Sequence, residues 1–463
     1  MTLIKSISGI RGTIGGEPDR SLTPLDIVKF SSAFSAWVKK RHPQVARPTV
    51  VLGRDARISG PMVHRLVLGA LLGSGVDVLD LGLSTTPTVE VAVASEGAQA
   101  GIILTASHNP KQWNALKLLN EKGEFISAAD GQQLLQMIES QTYDYVEVDD
   151  LGQVRSDDSW IEKHIDAILQ MEGVDVEAIR SAGIKVICDC VNSTGGISVP
   201  NILHRLGVRE VVEMYCETSG DFPHNPEPLK ENLTEISDRI VKEGAHLGVV
   251  VDPDVDRLAL ICENGDMFGE EYTLVAVADH VLSYSPGPTV SNLSSSRALR
   301  DVTEKHGQTY HASAVGEVNV VQTMKDVGAT IGGEGNGGII DPALHYGRDA
   351  LLGIALFLTH YVKKGMSMTE LKSSYPAYFM SKNKIQLTPD IDVDAILEQM
   401  SSKYATEQIS TIDGVKVDFA DRWVHMRKSN TEPIIRIYTE AQSQAQADEL
   451  AERIMDEIRT VAV

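Results

Sequence analysis

Short runs rich in Val, Ile and Leu recur along the chain, each ending in a polar loop and separated by segments of helical length. PTVVLGRD (48–55), VDVLDLGL (76–83), AGIILTAS (100–107), IKVICDC (184–190) and HLGVVVD (246–252) read as strands, and 59–75 reads as a helix. Strands alternating with helices imply an α/β fold built on mostly parallel, mixed sheets. The first helix, 23–40, has a start signal of its own. Thr23 sits at the N-cap, Pro24 at the first helical position, and Asp26 takes the place of a capping-box Glu. Length alone, 463 residues, suggests three or four domains at roughly 100–200 residues each. We expect three similar α/β units, at 1–152, 153–256 and 257–376, with RLALIC and ATIGGE as strands of the third. The end of the chain differs: strand KNKIQL, helix DAILEQMSSKYA, a hairpin turning at Asp413-Gly414, strand PIIRIYTEA and a last helix. Residues 377–463 therefore read as a smaller α+β unit.

Charge narrows the function. Lys+Arg is 42 against Asp+Glu 64, a formal charge of −22, which argues against a nucleic-acid partner. An acidic protein that handles an anionic substrate must build a local positive site or hold a metal. The four cysteines, Cys188, Cys190, Cys216 and Cys262, are too few for a disulfide scaffold. Cys188 and Cys190 are one residue apart, which is not zinc spacing, and all four read as reduced thiols. The N-terminus MTLIKSISGIRG lacks a long apolar run, and no stretch approaches the ~20 apolar residues of a membrane span. The expectation is a cytoplasmic protein without a membrane partner.

Four loops carry chemistry, each following a predicted strand, where ligands of α/β units collect. In Thr105-Ala106-Ser107-His108-Asn109-Pro110, Ser107 ends a strand with His108 and Lys117 near in sequence; it reads as a nucleophile, a phosphoryl carrier or a plain turn. Asp252-Pro253-Asp254-Val255-Asp256-Arg257 places carboxylates at i, i+2 and i+4, on one face of an extended chain. Such crowding reads as a cation site, where hard oxygen ligands favour Mg²⁺, or as a solvated acidic turn. An EF-hand also runs D-x-D-x-D, but its sixth position is Arg257 here rather than Gly, and the flanks are strands. Gly333-Glu334-Gly335-Asn336-Gly337-Gly338 does not open a helix, so a dinucleotide reading is poor; Glu334 and Asn336 on a glycine frame suit sugar hydroxyls. Arg427-Lys428-Ser429-Asn430-Thr431-Glu432-Pro433, with Arg436 beyond, has the composition of a phosphate cradle or of an exposed basic turn.

In this order and at these intervals, TASHNP, DPDVDR and RKSNTEP resemble the α-D-phosphohexomutase superfamily, over essentially the whole chain. SGIRG (8–12), GRDARISG (53–60), HNPEPL (224–229) and GRDALLGI (347–354) support the resemblance. It implies three related α/β domains and a smaller C-terminal domain around a central cleft, and an enzyme that moves a phosphoryl group between O6 and O1 of a hexose phosphate. It further implies that Ser107 is phosphorylated and, with Asp252, Asp254 and Asp256, binds Mg²⁺. Arg257 and Lys117 would lie near the transferring group, and Arg11 near the phosphoserine. Glu334 and Asn336 would bind sugar hydroxyls, and Arg427, Ser429, Asn430, Thr431 and Arg436 the phosphate that is not reacting. A hexose 1,6-bisphosphate would be intermediate and activator, and the chain a monomer or homodimer.

Two positions depart from the family pattern. Many members carry a Lys where Ala314 stands and a His where Gly338 stands, both usual general acid/base candidates. His108, His311 or His345 could substitute. The same departures motivate a rival reading, a non-catalytic sugar-phosphate binding protein. Among substrates we expect glucosamine 6-phosphate, with a phosphomannomutase/phosphoglucomutase as the alternative.

Overall fold

A computed structural model describes residues 2–6, 9–386, 392–428 and 434–461. Ala100–Leu104 and Leu247–Val251 are buried at every position, as continuous apolar runs in a sheet covered on both faces must be. The helix Pro24–Arg41 starts at the Thr23–Asp26 capping box and ends on Lys39, Lys40 and Arg41, complementing the helix dipole at both ends.

Three sheets repeat one topology. In the first, Thr49–Arg54 lies between parallel Asp77–Leu83 and Ala100–Leu104, and Trp113–Leu119 closes the sheet antiparallel to Ala100–Leu104. The second repeats this with Lys185–Asp189, Glu210–Met214, Leu247–Val251 and antiparallel Leu258–Cys262. The third does so with Thr289–Asn292, Tyr310–Ser313, Ile331–Glu334 and antiparallel Gly338–Ile340. The loops at Ser107, at Asp252–Arg257 and at Glu334–Gly337 thus occupy one topological position, the return from the third strand into its antiparallel partner. The expected structural repeat is present as topology.

Two expected boundaries move. The division at 256/257 falls inside a hairpin, because Leu258–Cys262 pairs along its whole length with Leu247–Val251; RLALIC belongs to the second unit. Val154–Ser156 pairs with Asp77–Leu83, so the first unit extends past 152. The C-terminal sheet is antiparallel, in the order 379–386, 434–441, 423–428, 415–418, 408–410, with the expected hairpin closing at Gly414 (φ 69°).

The second and third units share one apolar core, which runs from Ile161 to Tyr375 and includes the buried helix face Ala350–Tyr361. The fourth unit has a core of its own. Its junction with the third is polar: Arg297 donates to Asp418 (3.0 Å), Lys416 to the Leu293 carbonyl (2.9 Å), and Ser294 bonds to His425 (2.8 Å).

Candidate active site

Ser107 sits in the left-handed region (φ 49°), its N–H bonded to the Thr105 hydroxyl. The loop is pinned from beneath by Arg57, a buried guanidinium that pairs with Asp55 (3.1 Å) and donates to the carbonyls of Ser107, Asn109 (2.7 Å), Pro110 (2.9 Å) and Trp113 (3.0 Å). This aims the Ser107 hydroxyl at the second unit, where it donates to Asp252 Oδ2 at 2.6 Å. His108 Nδ1 lies 3.3 Å from the same hydroxyl.

The aspartate loop is fully buried and tightly wound. Asp252 Oδ1 accepts the N–H groups of Asp256 and Arg257, both at 3.2 Å, while Val255 is held at φ 63°, a strained conformation for a β-branched residue. Asp254 Oδ2 accepts from Lys117 Nζ (2.6 Å) and from the Thr86 hydroxyl (2.5 Å) at the start of helix Thr86–Glu96. Asp256 Oδ2 accepts from Lys117 (3.2 Å) and Arg348 (2.8 Å). Burial, then the neighbouring Asp254 and Asp256, push the Asp252 carboxyl well above the usual range. Burial acts the same way on Asp256, but Arg348, Lys117 and Arg257 outweigh it and hold that carboxyl low. Burial would lower Lys117, yet Asp254 and Asp256 keep it firmly protonated.

A metal fits here. Oxygens of Asp252, Asp254 and Asp256 lie within 4.8 Å of one another, and Asp254 Oδ1 and Asp256 Oδ1 are buried without a hydrogen-bond partner. Buried carboxylate oxygens without donors are costly unless a cation takes them, and an all-oxygen set suits Mg²⁺.

The sugar loop joins the same network. Glu334 accepts from the Asn292 side chain (2.9 Å), the Gly316 N–H (3.2 Å) and Arg348 (2.9 Å). Asn336 folds back on the Gly338 N–H at 3.2 Å. Arg348, to which the sequence assigned no role, therefore ties the aspartate loop to the sugar loop and also pairs with Glu317 (3.0 Å). It explains Gly338 as well: a Cβ there would lie 2.3 Å from Arg348 Cδ. The space over the loop's end is taken by a guanidinium stem.

A cleft of about 330 Å³ is lined from all four units, by His108, Arg257, Glu334, Asn336 and Arg427 among others. Arg257 stays 3.9 Å from its nearest carboxylates, Glu227 and Asp256. A larger space of about 780 Å³, lined by Arg11, Lys117 and Arg348, adjoins it, since Val315 and Glu334 line both. Burial and nearby Arg257 lower the Arg11 guanidinium, and the same two causes press His108 down to about 3, so it is neutral. On the C-terminal sheet, Arg436 stands opposite Arg427 on one side and Lys384 on the other. Three cations abreast repel one another unless an anion joins them. Ser429, Asn430 and Thr431 lie outside the described residues.

Two of the alternative histidines do not line the cleft. His345 is enclosed between Asp349 (3.2 Å) and Glu90 (3.3 Å), a buried network continued by His164. His311 lies on the edge strand Tyr310–Ser313, ahead of Ala314.

Comparisons with known proteins agree with this arrangement. Four successive stretches match the phosphoglucomutase/phosphomannomutase domains: α/β/α domain I (3–144), domain II (162–265), domain III (269–378) and the C-terminal domain (384–457). A phosphoglucomutase/phosphomannomutase of Thermococcus kodakarensis is 34% identical, over 95% of this chain and 96% of its own. A phosphoglucosamine/phosphogalactosamine mutase of Sulfurisphaera tokodaii is 30% identical, over 96% and 97%. The solved structure of a phosphoglucomutase/phosphomannomutase family protein from Burkholderia thailandensis superposes with a TM-score of 0.84 at 25% identity, covering 99% of this chain and 96% of that one. Among the described residues no helix is long and apolar enough to cross a membrane. With all four domains matched in order, the chain belongs to the phosphoglucomutase/phosphomannomutase family of the α-D-phosphohexomutase superfamily and is a phosphohexomutase, an isomerase that transfers a phosphoryl group.

Proposed function

We propose that the enzyme interconverts glucosamine 6-phosphate and glucosamine 1-phosphate through phosphorylated Ser107 and a hexose 1,6-bisphosphate. The observation that carries the chemistry is the Ser107 hydroxyl 2.6 Å from Asp252, inside a carboxylate cluster that leaves two oxygens without donors. Phosphoryl transfer needs alignment and charge neutralisation more than covalent assistance. Asp252, Asp254 and Asp256 would hold Mg²⁺, with the phosphoserine as a further ligand; when bound, the ion supplies Lewis-acid neutralisation of phosphoryl charge. Ser107 gives its phosphoryl group to the free hydroxyl of a hexose monophosphate. The bisphosphate turns over in the cleft and returns its other phosphate to Ser107. Arg257 and Arg11 offset the negative charge of the moving group, while Lys117 and Arg348 keep the aspartate loop in register. His108, which lines the cleft beside the Ser107 hydroxyl, is our candidate for taking the proton of the attacking sugar hydroxyl. Arg427 and Arg436, with Ser429, Asn430 and Thr431, hold the idle phosphate, and Lys384 extends that cradle. Because either end of the sugar must occupy it in turn, a separately cored fourth unit suits the reorientation.

An amino sugar is supported by the likeness to the phosphoglucosamine/phosphogalactosamine mutase of Sulfurisphaera tokodaii, 30% identical over 96% of this chain. A second reading, phosphomannomutase/phosphoglucomutase, is favoured by the 34% identical relative of that name. Coupled assays with glucosamine, mannose and glucose 6-phosphates separate them. We expect the highest kcat/KM for glucosamine 6-phosphate, and a far lower value for it than for the other two gives the reaction to the second reading. A monomer or homodimer suffices, since every residue invoked comes from one chain.

A further inference from the structure

Of the four cysteines, Cys262 stands apart in its strand, whereas Cys188, Cys190 and Cys216 bring their sulfurs within 4.8 Å of one another. Strand pairing creates this group. Lys185–Asp189 runs parallel to Glu210–Met214 with Cys188 opposite Glu213, and the Cys190 N–H donates to the Met214 carbonyl (3.2 Å). Cys216, two residues past the end of its strand, therefore arrives beside two thiols that share one face at i and i+2. The helix Gly195–Arg205 closes over them. A Cβ at Gly195 would come 3.1 Å from Cys190 Cβ, and one at Gly196 would come 2.1 Å from the Cys216 carbonyl oxygen. Cys188 and Cys190 are fully buried, but Cys216 is only half-buried, which gives the cluster an entrance.

We propose that Cys188, Cys190 and Cys216 form a binding site for one thiophilic d¹⁰ ion, Zn²⁺ or Cu⁺. Such an ion binds thiolate sulfur at about 2.3 Å, which sets three sulfurs roughly 4 Å apart, so the observed spacing needs little movement. Thiolates select these ions over Mg²⁺, and the aspartate cluster has the opposite preference. Binding releases the thiol protons to solvent, and half-buried Cys216 is the side from which an ion would enter. The site sits at the base of the aspartate loop. After Cys190 the chain turns through Val191 and Asn192 (φ 49° and 52°) to Ser193 and Thr194, whose hydroxyls donate to the Pro253 carbonyl at 2.7 and 2.9 Å.

Cobalt(II) titration of the reduced, metal-stripped full chain tests this, because thiolate ligation gives a charge-transfer band that carboxylates do not. We expect the band to saturate at one equivalent, to be displaced by Zn²⁺ or Cu⁺ (whichever displaces it at lower concentration identifies the preferred ion), to be lost in Cys216→Ser and to persist in Cys262→Ser. Alkylation of native Cys216 gives the same comparison if that variant does not fold. Absence of the band from the reduced wild type, or equal bands before and after loss of the Cys216 thiol, would overturn the proposal.

Discussion

The aspartate loop and the C-terminal phosphate face each crowd three like charges together, and they resolve the crowding in opposite ways. Asp252, Asp254 and Asp256 are wholly buried and are partly answered from within the protein by Lys117 and Arg348, leaving two bare oxygens. Lys384, Arg436 and Arg427 lie abreast on three neighbouring strands, Lys384 exposed and the two arginines half-buried; among the described residues Arg427's nearest carboxylate, Asp413, is 4.0 Å away. A buried crowd suits a resident ion held through every turnover. A crowd that solvent still reaches suits an anion that must come and go, as the idle phosphate proposed above would.

Removing the internal compensation should break the first arrangement most severely. Arg348→Met strips a guanidinium from Asp256, Glu334 and Glu317 together. Unpaired buried charges of this kind cost about 3–5 kcal/mol, read as a fall in denaturant midpoint. The second arrangement should respond in the other sense. Arg436→Gln relieves repulsion and leaves stability unchanged or up to about 1 kcal/mol higher. It should nevertheless raise KM roughly 10- to 150-fold, the worth of a charge-assisted hydrogen bond to substrate phosphate. Denaturation and steady-state kinetics on the same sample check both halves.

Acid should sharpen the contrast with a smaller effect. Burial lowers His425 from 6.5 to about 4, where it accepts from Ser294 across the junction of the third and fourth units. A folded-state value below the unfolded one means stability that is complete above pH 6.5 and is lost as pH falls toward 4, about 3 kcal/mol over that window. Hydrogen exchange on lowering pH should show the strand Ile434–Ala441 losing protection before Lys185–Asp189.

The motif residues Ser107, Asp252, Asp254, Asp256, Glu334 and Arg427 were legible because short loops at strand ends carry their chemistry in adjacent letters. Arg57 and Arg348 were not, since each acts on a loop at least ten residues away, and neither GRDARISG nor GRDALLGI says where its arginine reaches. The boundary at 256/257 was misplaced for a related reason: nothing local tells an antiparallel return into the same sheet from the start of a new unit. The three-thiol cluster escaped the spacing test because its third member, Cys216, comes from the loop just beyond the adjoining parallel strand. His345 looked available by sequence distance and proves to be enclosed by Glu90 and Asp349.

The central claim is that Ser107 ferries the phosphoryl group. Incubation with a hexose 1,6-bisphosphate labelled in its phosphates, followed by peptide mapping, tests it most directly. One phosphoryl group per chain is expected, on Ser107, acquired only with Mg²⁺ present and discharged by added hexose 6-phosphate. Label on any other residue, or label on Ser107 that hexose 6-phosphate fails to remove, would contradict it.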